Sequence, residues 1–303
     1  MNPIDIMLLA FLFGFSPIAF YIFGRAKFTI EGGVKMFSRY RLHLTILLLI
    51  LGMKSFLDLF NDPIKDVYHA DFTPLIHSIE GDAVLWVQDA LLSNWMTIFL
   101  LAVYLVGYIF LYNFSFALFA YMDKRKAAND VIFNNLIILV MSIPFYWFFP
   151  VYVTSWPKVL DPSAAAVVPG MDALAYNYHP WVNEFFQLHD PFDNCFPSLH
   201  FAVPFAILII LIRSVPGFKL YKWFLGIMTA LTALAIVYLG IHWIIDIFAG
   251  MAVALVSVYL TERYGDRFWR RLDGAYAKAE KRYDDWLARR KSATDNPPPA
   301  HPD

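Results

Sequence analysis

The chain has 303 residues, of which 59% are hydrophobic, 18% are aromatic and 16% are charged. A soluble domain is about 45–50% apolar and about 25% charged, so this composition favours a membrane protein and excludes disordered, collagen-like and disulfide-rich classes. The formal net charge of −1 predicts no nucleic-acid partner, and the single cysteine, Cys195, excludes an intrachain disulfide and a cysteine-based metal site.

Seven apolar segments follow one another, each near the roughly 20 residues that cross the hydrocarbon layer. The fifth is shorter and contains Pro204, which a bundled helix tolerates when neighbours satisfy the freed carbonyl. Only a few residues around Ile241 separate the last two segments, which should form a tight hairpin. We expect the first segment to be a retained span, because it shows neither a preceding basic region nor a following cleavage site. The predicted fold is all-α, a polytopic membrane bundle of about seven transmembrane helices, at 4–23, 42–60, 94–122, 131–150, 198–213, 222–240 and 243–262.

Lysine and arginine give the orientation of these segments. Of the 24 basic residues, 21 fall in the C-terminal tail and in the connections that alternate with the acidic loops 61–93 and 151–197. Basic connections stay in the cytoplasm, so we expect the N-terminus outside and the C-terminus in the cytoplasm of a cell-membrane protein. The three other basic residues are Lys54, Lys65 and Lys158.

The two outer loops have apolar patterns of their own. Residues 74–91 have apolar side chains at helical spacing, which predicts an amphipathic helix in the outer interface. The aromatic residues of loop 151–197 fit either an anchor at headgroup level or a rim that guides a lipid substrate.

The C-terminal part differs from the apolar segments. We expect a transmembrane catalytic domain at 1–262, with its chemistry in the core 131–262. Residues 263–291 predict a basic amphipathic helix on the cytoplasmic leaflet or, alternatively, a partner-binding helix. The Pro-rich residues 292–303 predict a disordered tail.

The first chemical pattern runs from Asn194 to His200. Pro197 suits the first turn of a helix, so the amides of Ser198, Leu199 and His200 are predicted to be unpaired donors that favour an anion. Ser198 adds a hydroxyl and His200 a proton donor. The alternative is a helix cap with an interfacial histidine.

The second pattern is His242 and Asp246, four residues apart on one helix face. Asp246 is predicted about one turn inside the membrane, where a carboxylate needs a partner. A carboxylate that binds one imidazole nitrogen leaves the other as a nucleophile or base, although a purely structural pair has the same spacing. His200 and His242 are predicted on the same outer side, which points to phosphoryl transfer with one histidine as nucleophile and the other as acid.

Two segments carry a family resemblance. Phe196-Pro197-Ser198-Leu199-His200 and Tyr238–Gly250 resemble the second and third signature motifs of the type-2 phosphatidic acid phosphatase superfamily, over roughly 131–262. The resemblance implies that His242 attacks phosphorus, that Asp246 activates it and that His200 protonates the leaving group. It implies no metal and no cofactor.

The chain also departs from that family's pattern. The usual Arg six residues before the third-motif histidine is Ile236, preceded by Ala235, and Leu199 replaces the usual Gly. The first signature is not present, and Phe149-Pro150-Val151 with Pro157-Lys158 is only loosely similar to it. These departures resemble the inositol phosphorylceramide synthase branch, which passes a phospho-headgroup to a lipid hydroxyl.

A second cation is therefore expected beside the phosphate. Lys54 is the first candidate, with pairing to Asp58 or snorkelling as the alternative, and Lys158 is the second. Cys195 is expected to be a packed residue. Interfacial polar roles are expected for His69, His77, His179 and His189.

Three functions stay open at this point. The first is a lipid phosphotransferase that takes a phospholipid donor and a lipid or alcohol acceptor, and the second is a lipid-phosphate phosphatase with water as acceptor. The third is a non-catalytic lipid transporter or scaffold, against which His200, His242 and Asp246 together argue. The partners are thus the bilayer and its lipids, and the oligomeric state is not predicted.

Overall fold

A computed structural model describes residues 3–25, 27–68, 70–155, 171–189 and 192–295. These residues are helical apart from turns, loops and one isolated parallel β-bridge between Val151 and Asn194. In chain order, the helices are α1 (Pro3–Gly24), α2 (Ile30–Arg39), α3 (Arg41–Asp58), α4 (Asn61–Tyr68), α5 (Thr73–Glu80), α6 (Ala83–Leu91), α7 (Asn94–Ala102), a π-helical turn (Val103–Gly107), α8 (Tyr108–Tyr121), α9 (Arg125–Phe148), α10 (Pro180–His189), α11 (Leu199–Ser214), α12 (Lys219–Tyr238) and α13 (Ile244–Asp295).

Two compact units divide the chain, Met1–Thr261 and Glu262–Asp303. The first unit contains α1 to α12 and the start of α13, and it holds the residues of both sequence patterns. In the second unit, the described residues are those of the C-terminal part of α13.

Membrane crossing is supported by helix length and hydropathy. Among the described residues, four helices are long and apolar enough to span a bilayer: Asn94–Tyr121, Arg125–Phe148, Lys219–Tyr238 and Ile244–Ala279. Three shorter apolar helices lie at Gly14–Gly24, Arg41–Ile50 and Leu199–Ser214. The protein is therefore an integral membrane protein, while the count of seven crossings and the direction of the termini stay predictions.

Two predicted segments differ from the structure. The expected single helix over 74–91 is two helices, α5 and α6, because Gly81 has a positive φ of 60° that interrupts the helical backbone. The predicted disordered tail begins too early, since α13 continues to Asp295. Residues 296–303 lie outside the described range.

A buried glutamine joins the outer helices to the loop region. Gln88 on α6 is 2% exposed, and its side-chain amide donates to the carbonyl oxygens of Asp172 at 2.8 Å and Tyr238 at 2.9 Å. Its Oε1 accepts from the Asp172 amide at 2.7 Å. A buried amide is stable only when its polar atoms are paired, so these bonds fix α6 against the end of α12.

The turn between α12 and α13 is set by one carbonyl and one glycine. The carbonyl oxygen of Ile236 accepts from the amides of Ile241 and His242 at 3.0 and 2.9 Å. Gly240 has a φ of 77°, and a Cβ there would lie 2.6 Å from the carbonyl oxygen of Asp172. This turn places His242 two residues before α13 begins at Ile244.

The Gly240→Ala variant should lower the free energy of unfolding by about 1–3 kcal/mol, because a side chain at positive φ is strained and the Asp172 carbonyl leaves no room for a Cβ. Thermal unfolding of the detergent-purified protein measures the loss. Gly226→Ala on α12 is the matched control, since its Cβ would make an ordinary 3.8 Å contact with Leu208. Equal unfolding midpoints for the two variants would contradict the role given to Gly240.

Candidate active site

The start of α13 is organised by the carboxylate of Asp246, which is fully buried. Its Oδ2 accepts from the backbone amide of Trp243 at 2.9 Å and from Nδ1 of His242 at 3.1 Å. An acidic residue at the third helical position commonly reaches back to the amide of the capping residue. The same oxygen therefore begins the helix and fixes the histidine ring, with the Nδ1 proton toward the carboxylate.

A second carboxylate, from another part of the chain, binds the free amides at the start of α13. Glu80, the last residue of α5, accepts from the amide of Ile244 through Oε1 and from the amide of Ile245 through Oε2, both at 2.9 Å. The first amides of a helix have no partner within the helix and favour negative charge. Glu80 thus occupies the anion-binding position of α13 and holds the residues that follow His242.

The two predicted catalytic histidines are in direct contact. Nδ1 of His200 lies 3.2 Å from Nε2 of His242. Because Asp246 holds the proton on Nδ1 of His242, Nε2 of a neutral His242 carries the lone pair and His200 donates to it. The sequence predicts both rings on the same side of the membrane, and the structure adds that Nε2 of His242, the nitrogen predicted to attack, is covered by the second histidine.

A tyrosine extends this chain of polar groups. The hydroxyl of Tyr104 lies 2.9 Å from Nε2 of His200. Tyr104 belongs to the π-helical turn between α7 and α8, and its ring stacks on Phe186 with centroids 5.4 Å apart. Tyr108, one turn later, contacts His200 edge-on at 4.9 Å. The resulting chain runs from Tyr104 through both histidines to Asp246.

The second motif packs directly against α13. The amide of Ser198 donates to the backbone carbonyl of Asp246 at 3.1 Å, so it is not one of the free donors that the sequence predicts. Gly250 permits this approach, since a Cβ there would lie 2.6 Å from the Ser198 carbonyl oxygen. The Ser198 hydroxyl is buried and has no hydrogen-bond partner among the described residues. The side chain of Leu199 lines a neighbouring cavity.

The side chains of the two lysines that are predicted to bind phosphate lie outside the described part of the structure. Lys54 lies in α3, but its side chain and that of Asp58 are outside the described set, and Lys158 is outside the described ranges altogether. At the position of the missing arginine, Ile236 is fully buried in the apolar core. Lys65 binds Asp193 at 2.7 Å and Asn194 at 2.9 Å, which ties α4 to the residues just before the second motif.

One group of residues has the composition of a metal site. The ligand atoms of Cys195, His242 and Asp246 lie within 4.8 Å of one another, and all three residues are buried. Each already makes a hydrogen bond, since the Cys195 thiol donates to the carbonyl of Ile241 at 3.1 Å and His242 bonds Asp246. A metal ion here would therefore have to displace the bond that orients the histidine.

Sequence reasoning missed Glu80 and Tyr104. Glu80 is 162 positions from His242, and nothing in the sequence distinguishes it from the other acidic residues of loop 61–93. Tyr104 is one of many aromatic residues in a long apolar segment, and the π-helical turn that orients it has no recognisable pattern. π-helical turns are common at functional sites, but they are identified from structures.

Comparison with known proteins identifies a family for this arrangement. A sequence profile described as the PAP2 superfamily matches residues 75–260, which include Glu80, Tyr104, His200, His242 and Asp246. No curated protein and no solved structure matches the chain. The superfamily match supports an enzyme of the lipid phosphatase or phosphotransferase type that acts on phospholipids at a membrane. Because the matched range covers more than half of the chain, the protein belongs to the PAP2 superfamily.

Proposed function

We propose that the protein is a lipid phosphotransferase that moves a phospho-headgroup from a phospholipid donor to a lipid or alcohol hydroxyl through a phosphohistidine at His242. The contact chain of Tyr104, His200, His242 and Asp246 carries this proposal. It presents one nucleophilic nitrogen, one proton donor beside it and a carboxylate behind it, which is the arrangement that nucleophilic histidine catalysis needs.

In the first half-reaction, Nε2 of His242 attacks phosphorus and the bond from phosphorus to the leaving alcohol breaks. His200 gives a proton to the departing oxygen, and Asp246 stabilises the positive charge that forms on His242. The contact between the two histidines must open first, because Nδ1 of His200 covers the attacking nitrogen in the free enzyme. No residue in this scheme requires a metal or a cofactor.

In the second half-reaction, His200 takes a proton from the acceptor hydroxyl, whose oxygen displaces His242 from phosphorus. A phosphodiester headgroup carries one negative charge and a phosphomonoester up to two, so a site without the usual arginine suits the diester better. The buried Ile236 at the arginine position supports the transferase on this ground. Lys54 or Lys158 would supply the remaining positive charge, together with Ser198 and Leu199 at the start of α11.

The phosphatase alternative has one observation in its favour. His200 is partly exposed, whereas His242 is 3% exposed, so water can reach the proton-accepting group. In that case, water would replace the alcohol in the second half-reaction and free phosphate would be released. Assays with a labelled phospholipid, with and without alcohol acceptors, separate the two functions by their products.

The nucleophile is tested by trapping. Brief reaction with an activated aryl phosphodiester, labelled at phosphorus, should leave acid-labile label on the wild-type protein. The His200→Ala variant should still acquire it, because this leaving group needs no proton, whereas His242→Ala should acquire none. His179→Ala, in an exposed outer position, is the control. Label on any residue other than His242 would overturn the assignment.

The proposed side of the membrane is tested by cysteine labelling. Native Cys195 is 2% exposed and should not react, so single added cysteines report their own location. Trp181→Cys, at a position that is 52% exposed, should react with a membrane-impermeant maleimide in intact cells. Gly274→Cys should react only after permeabilisation. The opposite pattern would place the active site in the cytoplasm.

The positioning role of Glu80 is tested by removing its charge. Glu80→Gln can accept only one of the two amide bonds, so we expect about 1–2 kcal/mol less stabilisation of the α13 start. The expected readout is about a tenfold lower kcat, with KM within about twofold, since the phosphate contacts remain. Asp89→Asn, which removes an exposed charge from neighbouring α6, should leave kcat unchanged. Equal kcat values in both variants would reject the role.

A further inference from the structure

Both ring nitrogens of His200 have partners in the free enzyme. Nδ1 lies 3.2 Å from Nε2 of His242, and Nε2 lies 2.9 Å from the hydroxyl of Tyr104. The proposed proton transfers use Nδ1, because that nitrogen lies beside the atom that attacks phosphorus. The other nitrogen of His200 therefore binds a residue to which the proposed half-reactions give no role.

The location of the Tyr104 hydroxyl is fixed from the far side of its ring. Tyr104 is 4% exposed and belongs to the π-helical turn Val103–Gly107. Its ring stacks on Phe186 with centroids 5.4 Å apart, and the buried Phe186 in turn contacts the ring of Tyr176 at 4.8 Å. These aromatic contacts do not involve His200, so they hold the hydroxyl in place whatever the state of the histidine.

The other bonds of the chain determine the direction of the Tyr104 bond when both histidines are neutral. Asp246 holds the proton of His242 on Nδ1, so Nε2 of His242 accepts from Nδ1 of His200. A neutral imidazole carries one ring proton, so Nε2 of His200 is then an acceptor and the Tyr104 hydroxyl donates to it. Every bond from Tyr104 to Asp246 therefore donates toward the carboxylate.

During the proposed reaction, the same bond must run the other way. A histidine that protonates a leaving alcohol through Nδ1 first carries protons on both nitrogens, and after the transfer its remaining proton is on Nε2. The extra proton first comes from water, because His200 is partly exposed, and each cycle returns it. A tyrosine hydroxyl both donates and accepts, so it pairs Nε2 in all these states, whereas a carboxylate or a carbonyl would only accept.

We propose that Tyr104 is a positioning residue, whose hydroxyl keeps the His200 ring in one orientation as this histidine changes its protonation state. The inference rests on the proposed phosphotransfer, in which His200 is first the acid and then the base. In the first half-reaction, the Nδ1 proton passes to the departing oxygen as its bond to phosphorus breaks. In the second, Nδ1 takes the proton of the entering alcohol as its oxygen binds phosphorus and the bond from phosphorus to His242 breaks.

The Tyr104→Phe variant separates positioning from packing, because it removes the hydroxyl and keeps the ring that stacks on Phe186. Tyr108→Phe is the matched control. The ring of Tyr108 contacts His200 edge-on at 4.9 Å, and the variant retains that ring. Both full-length variants are assayed in nanodiscs with an activated aryl phosphodiester, whose leaving group needs no proton, and with a phospholipid, whose leaving alcohol needs one.

The two half-reactions should respond differently to Tyr104→Phe. Phosphohistidine should form from the aryl substrate within about twofold of the wild-type rate, because that step does not use His200. Transfer from His242 to an added alcohol should slow about tenfold, so that phosphohistidine accumulates, and kcat for the phospholipid should fall about as much with KM within about twofold. Tyr108→Phe should match the wild type. Equal losses in both half-reactions of Tyr104→Phe, or no loss in either, would overturn the proposal.

A measurement without turnover reports on the ring itself. In protein with ¹⁵N-labelled histidine, the two ring signals of His200 are identified by their loss in His200→Ala. Tyr104→Phe should move both signals toward the average of the two neutral tautomers, and Tyr108→Phe should leave them unchanged. This shift together with an absence of phosphohistidine in the wild type would keep the positioning of His200 and reject the transfer mechanism. Unchanged signals in Tyr104→Phe would reject the positioning role.

Discussion

The carboxylate of Asp246 is shielded from solvent at the start of a helix, and the rest of the site is arranged around that constraint. Removing a carboxylate from water costs several kcal/mol unless hydrogen bonds replace its hydration. Here, the Trp243 amide and the His242 ring supply those bonds to one oxygen. Because both donors lie in the same short turn, the conformation of the turn and the orientation of the histidine cannot vary independently.

The turn itself depends on packing outside the two motifs. Gly240 allows the chain to pass the Asp172 carbonyl, and Gly250 allows α13 to approach Ser198. The two motifs, more than forty residues apart, are joined by the bond from the Ser198 amide to the Asp246 carbonyl. The two glycines therefore permit the close approaches on which the contact between His200 and His242 depends.

The sequence predicts the parts of this site that depend on local spacing. The four-residue interval fixes His242 and Asp246 on one helix face. The expected position of Pro197 in the first turn of a helix is wrong by two residues, because α11 begins at Leu199 with Ser198 as its N-cap. The sequence cannot predict Glu80 or Tyr104, because their roles depend on tertiary contacts over long separations. The sequence also does not predict the division of residues 74–91 at Gly81, because the apolar periodicity continues past the residue whose positive φ ends α5.

The helical fold and the membrane character follow from composition, whereas the electrostatics of the site do not. A buried Ile236 shows that one expected positive charge is absent, but the sequence alone does not show that Glu80 also occupies the positive end of α13. That helix end is therefore satisfied by the protein before any substrate arrives. The proposed function therefore assigns phosphate binding to the start of α11 and to lysines elsewhere.

The Glu80 contact also affects how the protein can be altered. Surface loops usually tolerate insertions, and they can usually be replaced by the corresponding loop of a relative, because they make few contacts with the rest of the fold. The α5–α6 segment is an exception. Glu80 at the end of α5 bonds the start of α13, and Gln88 on α6 bonds Asp172 and the last residue of α12. A chimaera that replaces this outer segment would leave the amides of Ile244 and Ile245 without their carboxylate partner unless the donor sequence also supplies an acid at the same place, so the segment must be exchanged together with α13.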